Sequence, residues 1–138
     1  MKTFVRVVEV WTPDRDQQLL EFAGGHYGDA RRFAAASASM CFGRGEGLPG
    51  RAWEQGAPVM LKSFEGSYFR RTAAAQVDGL TCGLALPFFV AGRLTAVAAV
   101  FCGDDADHVG ALELWHNESA SSPDLTLHDG YYGRTAEV

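Results

Sequence analysis

The sequence predicts an α+β domain built on antiparallel strands, and three observations carry that expectation. The chain opens as a strand, a polar break and a second extended segment. Two nearly continuous apolar segments, Cys82 to Val90 and Arg93 to Cys102, are separated only by Ala91-Gly92. Between these β-rich ends lie short stretches with apolar residues at helical spacing, set on either side of a glycine-rich loop.

In chain order, Thr3 to Trp11 alternates, with Phe4, Val8 and Val10 on one side and Val5, Val7, Glu9 and Trp11 on the other. Thr12-Pro13-Asp14 ends this strand, Leu19 to Phe22 resumes an extended pattern, and Gly24-Gly25 closes a hairpin. Asp29 is the expected N-cap of a helix carrying Phe33, Ala36, Ser37 and Met40 into the loop Phe42 to Trp53, where Gly43, Gly45, Gly47 and Gly50 precede or flank Pro49. A short helix leaves the loop with Leu48, Ala52 and Trp53 inward and Gly56 as its stop. Pro58 to Phe64 is a third strand. Ser67 is expected to cap a helix running to Val77, with Phe69, Ala73 and Val77 on one stripe. Cys82 to Val90 and Arg93 to Cys102 then form a tight hairpin apolar on both faces, hence covered on two sides.

The 138 residues, 47% hydrophobic, suit one ordinary domain with a core. A net charge of -5, with Arg31-Arg32 and Arg70-Arg71 as isolated basic pairs, argues against a nucleic-acid surface. Cys41, Cys82 and Cys102 are odd in number and lack C-x-x-C spacing, so they read as reduced thiols of a cytoplasmic protein. No signal-like start and no apolar run of spanning length appear, so no membrane association is expected.

The C-terminal part repeats the beginning. Arg6-Val7-Val8-Glu9-Val10-Trp11 matches Gly110-Ala111-Leu112-Glu113-Leu114-Trp115, and Leu20 to Gly28 matches Leu125 to Gly133 after a one-residue length change. A period of roughly a hundred residues denotes a domain repeat. The expected division is residues 1–103 as one whole unit and residues 104–138 as a second copy of the opening hairpin, either exchanged between chains or the start of a shortened second repeat.

The motifs Phe42-x-x-Gly45-x-Gly47-Leu48-Pro49-Gly50-Arg51-x-Trp53, Gly56-x-Pro58-Val59, Phe69-x-Arg71 with Ala73 and Ala74, Gly79-Leu80 and Leu86-Pro87 together resemble the GAF domain family of sensor and regulatory modules over about residues 3 to 103. The resemblance implies a GAF/PAS-like central antiparallel sheet of five to six strands with short helices on one face and a pocket between them. Its lining would come from Phe42, Trp53, Met60, Phe64, Phe69, Ala73, Cys82 and Leu84, suited to a mostly apolar or aromatic ligand. The competing reading of each is plain core packing. Family members usually carry a helix before the first strand and another after the last. This chain opens in a strand and closes in a hairpin, so the face opposite the pocket would be open, and a second copy of the chain is the expected cover. The last strand would have two hairpins competing for one position beside it, and exchange between chains would yield an intertwined dimer.

The chemistry of known subgroups is not matched. No cyclic-nucleotide pattern can be placed, no cysteine is followed closely by histidine as in bilin binders, and Leu48-Pro49 stands where GAF methionine sulfoxide reductases usually carry cysteine. His26, His108, His116 and His128 form no ligand spacing, and no Lys-Ser/Thr follows the glycines as a phosphate loop requires, so no cofactor is indicated. Glu9-x-Trp11 and Glu113-x-Trp115 are explained least by generic packing, and are read either as a surface pairing with Arg6, Arg51 or another chain, or as a solvent-side Glu with Trp covering the hairpin loop. The sequence thus favours a non-enzymatic small-molecule sensor or regulatory dimerisation domain in signalling or transcription control. A ligand-free assembly domain filled by Trp53, Phe64 and Phe69 is the second reading, and a thiol-dependent reductase the third.

Overall fold

The computed structural model describes residues 3–105 and 110–133; His108 and the end of the chain at Val138 lie outside them. Six antiparallel strands form the main sheet: β1 (Val5–Pro13), β2 (Leu19–His26), β3 (Cys41–Gly43), β4 (Val59–Leu61), β5 (Cys82–Val90) and β6 (Arg93–Cys102). Their order is β3-β2-β1-β6-β5-β4, so β1 holds the place beside the last strand of the sheet. The second hairpin, β7 (Ala111–His116) and β8 (Thr126–Tyr132), forms a separate two-stranded sheet.

Inward positions follow from the pleat. Val7, Glu9 and Trp11 on β1 alternate with Val8 and Val10, and Val97, Ala99 and Phe101 on β6 face the same side and are fully buried. The inner face carries the core, shared with α1 (Arg31–Ala38), α2 (Gly47–Gln55) and α3 (Thr72–Val77) through Phe33, Leu48, Ala52 and Ala75. The outer face stays partly open: Val8 opposes Val100, Val10 opposes Ala98 and Phe88 opposes Ala96, with Val8, Val10 and Phe88 exposed. The two-sided apolar character of β6 therefore corresponds to a filled face and a half-covered one. Ala91 and Gly92 close the β5–β6 hairpin with φ of 52° and 77°, the pair of positive values that a two-residue turn of this hand needs.

Several local expectations are corrected. α1 begins at Arg31 with Ala30 at its N-cap and no local side-chain cap; the cap comes instead from Asp78, whose Oδ2 accepts from Phe33 N at 2.7 Å. A long-range carboxylate thus does what Asp29 was expected to do. The residues between α1 and the glycine loop form β3 rather than continuing the helix, and β4 is only Val59–Leu61. The helix expected from Ser67 starts at Thr72, because Ser67 is used in a turn, its hydroxyl donating to Phe64 O at 2.6 Å and accepting from Phe69 N at 3.1 Å. With the start moved, Ala73 and Val77 face solvent and Ala75 is the buried residue.

The glycine loop wraps on itself: Gly45 N donates to Gly50 O at 2.8 Å and Gly50 N to Glu46 O at 3.0 Å. A Cβ on Gly50 would sit 2.2 Å from the Gly43 carbonyl oxygen, so this crossing admits only glycine. α2 ends at Gly56, φ 65°, which supplies the left-handed C-cap. Arg51 of α2 lies 3.9 Å from the centre of the Tyr68 ring, and Arg70 pairs with Glu46 at 3.0 Å, so the loop and α2 hold the segment leading to Arg71.

Candidate functional site

The inner face of β1 carries an acid. Glu9 is fully buried, which overturns its expected surface role, and its carboxylate is the centre of a polar cluster. Trp11 Nε1 donates to Oε1 at 3.0 Å and the Tyr27 hydroxyl to Oε2 at 2.5 Å. Arg71 Nη1 reaches Oε1 at 2.9 Å, Oε2 at 2.8 Å and Ser37 Oγ at 2.6 Å. Neither Arg6 nor Arg51 is the cation for Glu9; it is Arg71, the N-cap residue of α3, 62 positions along the chain.

Burial makes this pair consequential. The side chains of Arg71 and Glu9 are 1% and 0% exposed, and a charge removed from water at such a site is tolerated only with a partner. Desolvation pulls the Arg71 pKa down while the Glu9 carboxylate pushes it back up, and burial together with the hydrogen bond to Glu9 raises the Tyr27 phenol. The guanidinium carbon lies 4.5 Å from the centre of the Phe33 ring, 5.1 Å from Phe101, 5.3 Å from Phe69, 5.4 Å from Phe42 and 5.5 Å from Trp11. Five aromatic rings thus hold a cation whose charge is already balanced.

Among the described residues, every side-chain hydrogen bond of Arg71 leaves from Nη1, while Nε and Nη2 are buried and have no hydrogen-bond partner. They form one edge of the planar fork, the edge that elsewhere takes a bidentate oxygen pair. Aromatic faces are weak acceptors, so the edge remains a donor pair without a matching acceptor.

The eight residues expected to line a pocket divide. Phe42, Trp53, Phe64 and Phe69 come together in the inner core, with Phe64 stacked on Phe69 at 4.4 Å and Phe42 edge-on to Trp11 at 4.8 Å. Met60 and Leu84 oppose each other on β4 and β5 and, by the pleat, face away from that core. Cys82 is fully buried opposite Cys102 on the same side, and Ala73 is exposed on α3. Arg71, Glu9, Tyr27 and Ser37 were not in the expected lining. The signals were present: Glu9-x-Trp11 stood out as unexplained, and Arg71 belonged to the Phe69-x-Arg71 motif.

Other chemistry is thinner. Cys41, Cys82 and Cys102 are free, and the buried Cys82 and Cys102 stand opposite each other on β5 and β6, a proximity that raises the pKa of the former and lowers that of the latter. A cleft of about 250 Å³ is lined by residues including Phe64, Leu80 and Thr81, and neither thiol lines it. Among the described residues no group of three or more His, Cys, Asp or Glu side chains could hold a metal ion, and no helix is long and apolar enough to cross a membrane.

A family model described as GAF domain matches residues 3–121. The chain belongs to the GAF domain family. No curated protein sequence matches this GAF domain significantly. Among solved structures it is similar to the free methionine-R-sulfoxide reductase of Neisseria meningitidis, solved in complex with its substrate, at 17% identity over 71% of this chain and 52% of that one, TM-score 0.56. The A. aeolicus nlh2 GAF domain in an inactive state is 20% identical over 75% of this chain and 60% of that one, TM-score 0.56. The NreA protein of Staphylococcus aureus, mutated in its nitrate binding site, is 13% identical over 72% and 74%, TM-score 0.56. The chain therefore spans between half and two thirds of the first two of these structures, and at such identities they establish the GAF fold alone.

Proposed function

We propose that this GAF domain is a regulatory sensor of a small neutral molecule carrying an acceptor oxygen, such as a carbonyl, amide or sulfoxide group, on a compact apolar body. The observation that carries the reading is the unpartnered Nε–Nη2 edge of buried Arg71 inside its aromatic surround. Two parallel donors suit one or two acceptor oxygens, and rings suit an apolar remainder. Neutrality follows from charge balance. Glu9 already neutralises Arg71, so an anion at the free edge would add an uncompensated charge in a buried site. The solved structures of similar fold include a free methionine-R-sulfoxide reductase and NreA mutated in its nitrate binding site, and charge balance at Arg71 favours a sulfoxide-like group over an anion.

Response follows from position. Arg71 is the residue on which α3 begins, so an acceptor at its free edge would stabilise one placement of the Phe69–Arg71 segment and shift the population of α3 packings. Output would pass through the half-open outer face of β1, β6 and β5, whose Val8, Val10 and Phe88 we assign to a homodimer contact in the cytoplasm. A thermal-shift comparison of dimethyl sulfoxide and acetamide with sodium nitrate and acetate, at matched ionic strength, tests the ligand class. The neutral acceptors should raise the melting temperature of the wild type but not of R71M or R71K. Stabilisation by the anions alone would overturn the proposal.

The second reading, a thiol-dependent reductase, draws on Cys82 and Cys102 standing opposite each other on β5 and β6. Against it, both thiols are fully buried, and a thiol needs access as well as ionisation to react. Methionine sulfoxide turnover that is lost in C82S and in C102S would establish it.

A further inference from the structure

The solvent face of β7–β8 repeats, at matching positions, the Glu, Trp, Leu and Tyr of the face that β1–β2 buries. In the first hairpin Glu9 opposes Gly25, the register breaks between Val10 and Trp11, and Trp11 opposes Phe22. In the second, Glu113 opposes Gly130, the register breaks between Leu114 and Trp115, and Trp115 opposes Leu127. The polar triad is repeated as well. Trp115 Nε1 donates to Glu113 Oε1 at 3.3 Å and the Tyr132 hydroxyl to Oε2 at 2.7 Å, as Trp11 and Tyr27 do to Glu9. Among the described residues no guanidinium contacts the second triad.

Exposure follows the same correspondence. Trp11 and Leu20 are 0% exposed, while their counterparts Trp115 and Leu125 are 46% and 60% exposed. The apolar side chains that stand in water on β7–β8 are thus those whose equivalents line the core around Arg71. A sheet face of this composition is normally covered.

We propose that β7–β8 is an alternative occupant of the place β1–β2 holds on this chain's own sheet, with Glu113 replacing Glu9 at Arg71. Chain connectivity favours the same chain over another copy. β1 lies antiparallel to β6 with Val8 opposite Val100 and Val10 opposite Ala98. Laying β7 in that register places Leu112 opposite Val100 and Leu114 opposite Ala98, and leaves Gly103 to Gly110 as the link from β6. That is an ordinary connection between sequential antiparallel strands. Leu125 would meet Phe42 of β3 as Leu20 does. β1–β2 holds the place at rest because it fills the core better: Val7 and Phe22 stand where the second hairpin offers Ala111 and Leu127. In its present position β7–β8 is held by Tyr131 on Thr81 and Asp104 and stacked on Phe4, by Lys62 on Asp129, and by a cleft in which Leu114 and Trp115 face Ala57 and Pro58. The chain therefore holds one core and two competing hairpins, and whatever weakens the Glu9–Arg71 pair releases the N-terminal one.

The test uses the full chain labelled with 5-fluorotryptophan and ¹⁹F NMR, with Trp11, Trp53 and Trp115 assigned by Trp→Phe variants. The H2O-to-D2O isotope shift reports which indole meets solvent. In the wild type Trp115 is expected exposed and Trp11 protected. E9Q should raise the population with Trp115 protected and Trp11 exposed at least tenfold, and adding E113Q should reverse that gain. Y27F, which removes only one hydrogen bond to Glu9, should move the population the same way by a smaller factor and serves if E9Q does not fold. Trp115 remaining as exposed in E9Q or Y27F as in the wild type would overturn the proposal. So would protection of Trp115 that grows with protein concentration, since it would assign the hairpin to a second copy.

Discussion

Replacing Arg71 by methionine removes the cation but keeps much of the side-chain volume among the five rings. Glu9 then retains the Trp11 and Tyr27 donors and loses both contacts from Nη1, at 2.9 and 2.8 Å, leaving a carboxylate with no exposed surface and no counter-charge. Breaking a buried ion pair from one side costs about 3–5 kcal/mol, a large share of the roughly 5–15 kcal/mol that holds a domain of this size together. E9Q leaves the opposite charge unpaired and should cost a similar amount. The double variant E9Q/R71M has no stranded charge and should be more stable than the sum of its parts by about 2 kcal/mol or more, within the range of coupling for residues in one network. The cycle belongs in an E113Q background, so that Glu113 cannot stand in for Glu9. Urea unfolding followed by tryptophan fluorescence gives each corner. If R71M lost less than about 1 kcal/mol and the two changes were additive, the pair would be no more than a surface-like contact and the reasoning from burial would fail.

Three further outcomes are expected. G50A should lose more than about 2 kcal/mol, since its Cβ would meet the Gly43 carbonyl oxygen at 2.2 Å and backbone must move to admit it; a melting temperature within a degree of wild type would refute the crossing geometry. The Tyr131 phenol, raised to about 12 by burial and by its bond to Asp104, contributes stability that is fully present below the ordinary tyrosine value and lost as pH rises from about 10 through about 12. Y131F should therefore flatten part of the alkaline decline, seen in unfolding curves at pH 9 to 12, and an unchanged slope would remove Tyr131 from the account. V10E should lower the apparent mass in light scattering from dimer to monomer at micromolar concentration, whereas a wild type already monomeric would leave the outer sheet face without its assigned contact.

The strands were legible because their signals are local. Alternation in β1, apolar continuity in β5 and β6, and Ala91-Gly92 between them each report on the backbone within a few residues. Helix starts were less so, because their caps are tertiary: Asp78 serves α1 across 45 positions, and Ser67 satisfies a turn before α3 can begin. The same separation hid the site. Glu9 and Arg71 lie 62 positions apart in the sequence, and only the fold brings them together beside Phe33 and Phe101. Large apolar residues were legible as interior, but which of them share the Arg71 surround depends on the sheet face. Phe42 and Phe69 do; Met60 and Leu84, two equally apolar choices, point the other way.

Whether Arg71 presents its free edge to a neutral acceptor can be read by native mass spectrometry of the protein isolated without denaturation from the cells that produce it. The wild type should carry one small molecule per chain, uncharged at neutral pH and bearing a carbonyl, amide or sulfoxide oxygen, and R71M prepared in the same way should carry none. A wild type that is free of ligand, or an anion retained by both proteins, would contradict the account.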